Sequence, residues 1–181
     1  MLSREQIIRA FQLLAERLSK RDVVGEINLL GGTAMMLGFK TRQSTKDVDA
    51  IFQPASIIRE EARAVAAELE IQADWINDAA KGFVSPKAEF QPLQDLEFPN
   101  LRIQVPTAEY LLAMKVLSSR VGLGSPASAD KEDIRFLIRW LRLSTTEAVF
   151  EIVERYYDRG RLLPRSLYLV EEILAEEENA R

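Results

Sequence analysis

The chain has 181 residues, 47 % of them apolar, which is enough for a packed core and too apolar for a disordered segment. It has no cysteine and no histidine, which excludes disulfides, thiolate and imidazole metal sites, cysteine nucleophiles and histidine general bases. A formal net charge of −4 excludes a surface that is basic all over, so a polyanion would have to be met by a local patch.

Residues 3–20 place Ile7, Ile8, Phe11, Leu14 and Leu18 at helical spacing, with polar residues between them. This start reads as an amphipathic helix and not as a signal peptide. No apolar run approaches the roughly 18 residues that span a bilayer, and the expectation is a cytoplasmic protein without a membrane partner. Residues 26–30 read as a short buried strand, stopped by Gly31-Gly32. Thr33 to Gly38 is predicted to be a short helix, and Lys40 to Lys46 a polar, basic loop. Residues 47–52 alternate Asp47, Asp49, Ile51 against Val48, Ala50, Phe52, which is strand periodicity. Pro54 ends that strand, and a helix runs from Ser56 to about residue 70 with Ile57, Ala62, Val65 and Leu69 inward. Residues 71–100 are irregular, with strand pieces predicted near 73–76 and 88–91. A strand at 101–105 ends at Pro106, and helices are predicted at 107–121, 131–142, 145–158 and 165–178, with 122–129 as the loosest linker.

The order is strands mixed with helices, then helices alone. It predicts an α+β fold: a mixed-sheet lobe over 1–106 with an N-terminal helix, and a helical C-terminal half over 107–181 packed on that lobe. No repeat or low-complexity tract interrupts it.

Alternation puts Asp47 and Asp49 on one face of a strand, about 6–7 Å apart. Two carboxylates at a strand start make a hard, oxygen-rich site, and without histidine or cysteine any metal chemistry falls to Mg²⁺ or Mn²⁺. A lone D-x-D is also what a solvated strand end looks like. Gly31-Gly32-Thr33 upstream shifts the balance. Glycines allow close backbone approach, and the following helix N-terminus offers N–H groups to a phosphate.

A glycine pair followed by an aspartate pair on the next strand resembles the signature of the polymerase-β-like nucleotidyltransferase superfamily. Residues 29–52 (LLGGTAMMLGFKTRQSTKDVDAIF) look more narrowly like its abortive-infection AbiEii branch, with its R-x-x-T-x-D-x-D element at Arg42, Thr45, Asp47 and Asp49. Fourteen residues (33–46) separate Gly32 from Asp47, a spacing similar to that branch. The branch also has a helical lysine followed by a D-x-x-D element, matched in order by Lys115 and by Asp130 and Asp133.

The resemblance implies transfer of a nucleoside monophosphate from a nucleoside triphosphate to an acceptor hydroxyl, assisted by Mg²⁺ or Mn²⁺. Asp47 and Asp49 would hold metal. Gly31, Gly32, Thr33, Arg42, Thr45 and Lys115 would hold the nucleotide. A third carboxylate would come from Asp133 or Glu89. It also implies RNA, such as a tRNA 3′ end, as acceptor, and a cognate antitoxin or partner protein. The alternative is an inactive nucleotidyltransferase-like binding module or antitoxin.

The residues support Lys115 separately. Its helix is apolar nearly all round, with Ala108, Leu111, Leu112 and Ser119 near the lysine and Tyr110, Met114, Leu117 and Val121 opposite. A lysine there needs a partner, or must snorkel to water. Asp130 reads equally as the cap of a helix that Lys131 begins, with Asp133 in its first turn. Lys40, Arg42, Lys46, Lys81, Lys87 and Arg102 form either a basic rim or a solubilising surface. Trp75 and Trp140 read as core, Tyr156 and Tyr157 as core or stacking platforms, and no base accompanies Ser56 or Ser125.

Overall fold

A computed structural model describes residues 1–119 and 127–179, which cluster into two compact units. The first comprises 1–82 and 90–106, the second 83–89 and 107–181.

In the first unit, β1 (Leu2–Ser3) leads into α1 (Arg4–Lys20). Ser3 starts the helix with a reciprocal cap: its hydroxyl accepts from Gln6 N–H at 3.2 Å, and the Gln6 carbonyl accepts from Ser3 N–H at 2.9 Å. There follow β2 (Gly25–Leu29), α2 (Gly31–Gly38), β3 (Ser44–Thr45), β4 (Val48–Gln53), α3 (Ala55–Leu69), β5 (Ile76–Asn77), β6 (Phe90–Pro92) and β7 (Leu101–Pro106). The five-stranded sheet has the order β5-β4-β2-β7-β6, with β2/β4 and β6/β7 antiparallel and β2/β7 and β4/β5 parallel.

Strand alternation gives this sheet two chemically different faces. Ile27 and Leu29, Val48, Ala50 and Phe52, and Leu101, Ile103 and Val105 are buried. Helix α1 packs on α3 and β7, and α3 packs on β4. Phe11 and Trp75 meet at 5.7 Å in this core, and Trp75 Nε1 donates to the Ala62 carbonyl at 2.9 Å. The opposite face carries Glu26, Asn28, Asp49, Ile51, Arg102 and Gln104, half-buried or exposed. Glu61 is the exception inside: a buried carboxylate held by Arg17 at 2.8 Å and Arg21 at 2.7 Å, clamping α3 to α1. Arg21 first, and Arg17 after it, outweigh the burial that opposes ionisation and hold its carboxyl below the usual carboxylate range.

The second unit contains α4 (Ala108–Ser118), α5 (Ala127–Trp140), α6 (Thr146–Tyr156) and α7 (Pro164–Asn179), with α4 packed against the other three. Residues 83–89 are tied in by Ser85, whose N–H donates to the Tyr110 hydroxyl at 3.0 Å and whose hydroxyl donates to the Tyr156 carbonyl. Lys131, Arg135 and Arg139 on α5 form a ladder of ion pairs with Glu172, Glu176 and Glu177 on α7. Among the described residues, no helix is long and apolar enough to cross a membrane.

The α+β class and the order of elements agree with the sequence reading, and several details differ. Helix α2 begins at Gly31, two residues earlier than predicted, because Gly31 adopts φ +55° and takes the sharp turn out of β2. The basic loop contains β3, which pairs with β1. Helix α5 begins at Ala127, so Asp130 lies in its first turn and is not its cap. Trp140 is not core: it is 59 % exposed at the end of α5 and stacks on Phe136 at 5.7 Å. Residues 120–126, most of the predicted linker, lie outside the described residues.

Candidate functional site

The end of β2 and the start of β4 build the site. Leu30 N–H donates to the Asp49 carbonyl at 2.8 Å, which pins the Gly31 turn beside Asp49. A Cβ at Gly31 would sit 3.0 Å from Asp49 Oδ2. A Cβ at Gly32 would sit 2.9 Å from Thr45 Oγ1 and 3.2 Å from an Arg42 guanidinium nitrogen. Glycine is thus favoured at Gly31 by its φ of +55° and at Gly32 by the close approach of the Thr45 hydroxyl.

Two threonines fix the backbone at Asp47. Thr33 Oγ1 donates to the Asp47 carbonyl at 3.1 Å, and Thr45 Oγ1 donates to the same oxygen at 3.2 Å. Thr33 and Thr45 are buried, so both bonds are shielded from water. Asp47 stands one residue before β4 and Asp49 is its second residue. Asn77, opposite Asp49 in the parallel β4/β5 pair, donates its amide to Asp47 Oδ2 at 3.3 Å. Leu30 offers no side-chain cap to α2, and the half-buried Gly31 and Gly32 present first-turn N–H groups to solvent or a ligand.

The first unit thus brings together Gly31, Gly32, Thr33, Arg42, Thr45, Asp47 and Asp49. Asn77 was not singled out from the sequence. Its strand is two residues long, too short to leave a periodic signal.

Lys115, Asp130 and Asp133 meet in the second unit. Lys115 Nζ lies 2.8 Å from Asp130 Oδ1 and 2.7 Å from Asp133 Oδ2. Lys115 is 6 % exposed and Asp133 4 %. This triad bolts α4 to α5 and supplies the partners that a buried lysine requires. Glu89 accepts a hydrogen bond from the Tyr156 hydroxyl at 2.7 Å. Burial, then that carboxylate, push the Tyr156 phenol up to about 12, so it stays a donor at neutral pH. Tyr157 is buried beside it and donates to the Phe83 carbonyl.

Of the basic rim, Lys40 pairs with Asp95, Lys81 with Asp78 and Arg102 with Glu26. Among the described residues, no three His, Cys, Asp or Glu side chains gather to hold a metal. Mg²⁺ is commonly bound by one or two carboxylates plus substrate phosphates, and Asp47 and Asp49 offer such a pair.

A family model described as "Nucleotidyltransferase of unknown function (DUF6036)" matches residues 5–158. No curated protein and no solved structure matches the chain.

Proposed function

The chain belongs to this family of nucleotidyltransferases of unknown function, and from that premise we propose that it moves a nucleoside monophosphate from a nucleoside triphosphate to an acceptor hydroxyl. The observation that carries the reading is the turn at Gly31, whose φ of +55° strains any side chain and where an added Cβ would sit 3.0 Å from Asp49 Oδ2. It sets free helix N–H groups beside an acid pair, which is the arrangement needed to hold phosphates against a divalent cation.

In this reading Gly31 and Gly32 hold phosphate oxygens through their N–H groups and Arg42 adds a guanidinium, while the buried Thr33 and Thr45 act through the Asp47 backbone. Asp47 and Asp49 would hold Mg²⁺ or Mn²⁺, which supplies charge neutralisation at the triphosphate when bound. Asn77 and the two threonines fix the orientation of Asp47. The acceptor oxygen bonds to the α-phosphorus, the bond to the bridging oxygen breaks, and pyrophosphate leaves with that electron pair. The acceptor proton passes to a carboxylate or to water, since the chain has no histidine.

The narrower AbiEii resemblance extends the proposal to an RNA acceptor such as a tRNA 3′ end, and to a toxin with a cognate antitoxin. It also assigns Lys115 to the triphosphate and Asp133 or Glu89 to the third acid. One observation favours the second reading, an inactive nucleotidyltransferase-like binding module or antitoxin: Lys115 is already matched by two carboxylates.

Calorimetric titration of nucleoside triphosphates, with and without Mg²⁺, tests the site on wild type and on Asp49→Ala. Binding that needs both the metal and Asp49 supports it. Equal binding by both proteins refutes the site. Incubation with labelled triphosphates and a tRNA pool then separates the enzyme, which labels RNA, from the module, which binds without turnover.

A further inference from the structure

Beyond Asp49 along β4, the polar face of the sheet opens into a cleft of about 320 Å³ lined by Glu26, Asn28, Ile51, Phe52, Gln53 and Asp78. The register makes it one surface. Asn28 stands opposite Ile51 and Glu26 opposite Gln53, while Ile51 follows Asp49 on the same face, about 7 Å along the strand. All these residues belong to the first unit.

The lining has a consistent chemistry. Glu26 Oε1 is held from outside by Arg102 at 3.2 Å, and Asp78 Oδ2 by Arg59 at 2.8 Å and Lys81 at 3.4 Å. Glu26 has Arg102 as its one hydrogen-bond partner among the described residues, and the amides of Asn28 and Gln53 have none there. Arg59, which holds Asp78, also lies over the Phe52 ring at 5.4 Å, and that second contact restrains its guanidinium. The volume falls within the range of small-molecule sites. Oriented carboxylate acceptors flanked by amides suit adjacent hydroxyl groups and repel phosphate.

We propose that this cleft is a ribose subsite, in which Glu26 and Asp78 accept from the 2′- and 3′-hydroxyls and Asn28 and Gln53 bond the remaining polar edge of the nucleoside. The inference rests on the proposed function, because it is the phosphate-holding turn at Gly31 and Asp49 that brings a nucleoside to the cleft. The ribose belongs either to the donor triphosphate or to the terminal nucleotide of an RNA acceptor, and the hydroxyl chemistry is the same.

The test is titration with Mg²⁺ present of the four ribonucleoside triphosphates, their 2′-deoxy and 3′-deoxy forms, and a short RNA with a ribose or a 2′-deoxyribose at its 3′ end. The proteins are wild type, Glu26→Gln and Asn28→Ala, with melting temperatures to confirm folding and Asp49→Ala to report the phosphate site. Wild type is expected to prefer ribose by roughly tenfold, the worth of one hydrogen bond to a charged group. Glu26→Gln is expected to bring that ratio near one. A collapse seen with triphosphates assigns the donor ribose, and one seen with the oligonucleotide assigns the acceptor. Asp49-dependent triphosphate binding with no ribose preference, or with a preference unchanged in both variants, overturns the subsite and leaves the functional reading standing. Absence of any triphosphate binding by wild type removes the functional reading and the subsite with it.

Discussion

The Asn77 amide reaches Asp47 Oδ2 at 3.3 Å from a strand thirty residues further along the chain. The bond crosses from β5 to the residue that precedes β4, so the parallel pairing of two short segments aims the carboxylate. Asn77→Ala removes the donor and leaves Asp47 charged. Metal-dependent triphosphate binding is expected to weaken by about 1–3 kcal/mol, the range for hydrogen bonds to charged groups. Isothermal titration reads the change, and unaltered affinity would show that Asp47 needs no such support.

Gly31 allows a second test. At φ +55° an added Cβ is strained, and it would also lie 3.0 Å from Asp49 Oδ2. Gly31→Ala should cost about 1–2 kcal/mol by backbone strain, with a further loss of triphosphate binding. Gly82→Ala is the matched control, because a Cβ there meets nothing within 4 Å. Urea denaturation of the two variants should differ accordingly, and equal stabilities would contradict the contact.

Lys115 separates a structural from a ligand-binding role. Lys115→Met leaves Asp133 buried without its cation, which is expected to cost about 3–5 kcal/mol. Adding Asp133→Leu should restore much of that stability, because two apolar groups replace a buried pair. If the double variant folds and binds triphosphate like wild type, the lysine serves the helix packing. Lost binding in a stable double variant assigns it to the ligand.

Acid sensitivity follows from Glu61. Its carboxyl is held below the ordinary range in the folded chain, chiefly by Arg21. A carboxylate with a lowered folded pKa stabilises the fold above its unfolded value and loses that contribution as pH falls through the folded one. The clamp should therefore act fully at neutral pH and weaken below about pH 4. Glu61→Gln should destabilise the chain at pH 7 by about 1–3 kcal/mol and flatten the acid limb of the stability curve. A parallel shift at every pH would show that Glu61 does not titrate with unfolding.

The sequence by itself determined what is written in consecutive residues. The glycine pair announced a tight turn. Alternation over 47–52 announced a strand with one charged face, and helical spacing announced α1, α3 and the helices after residue 107. These are local preferences, set by backbone sterics and by side-chain periods of two and 3.6 residues. The start of α2 at Gly31 and of α5 at Ala127 departed from the reading because helix ends depend on which backbone groups neighbouring segments satisfy.

Only the tertiary structure decided which distant residues meet. Pairing of β4 with both β2 and β5 put Asp49 against Gly31 and Asn77 against Asp47, and the packing of α4 on α5 gave Lys115 two carboxylates where the sequence left its partner open. The cleft at Glu26, Asn28 and Asp78 arises in the same way, from three segments brought into register. Such contacts follow from strand partner choice and helix docking, which minimise the burial of unpaired polar groups over the whole chain and leave no mark in the spacing of any one segment.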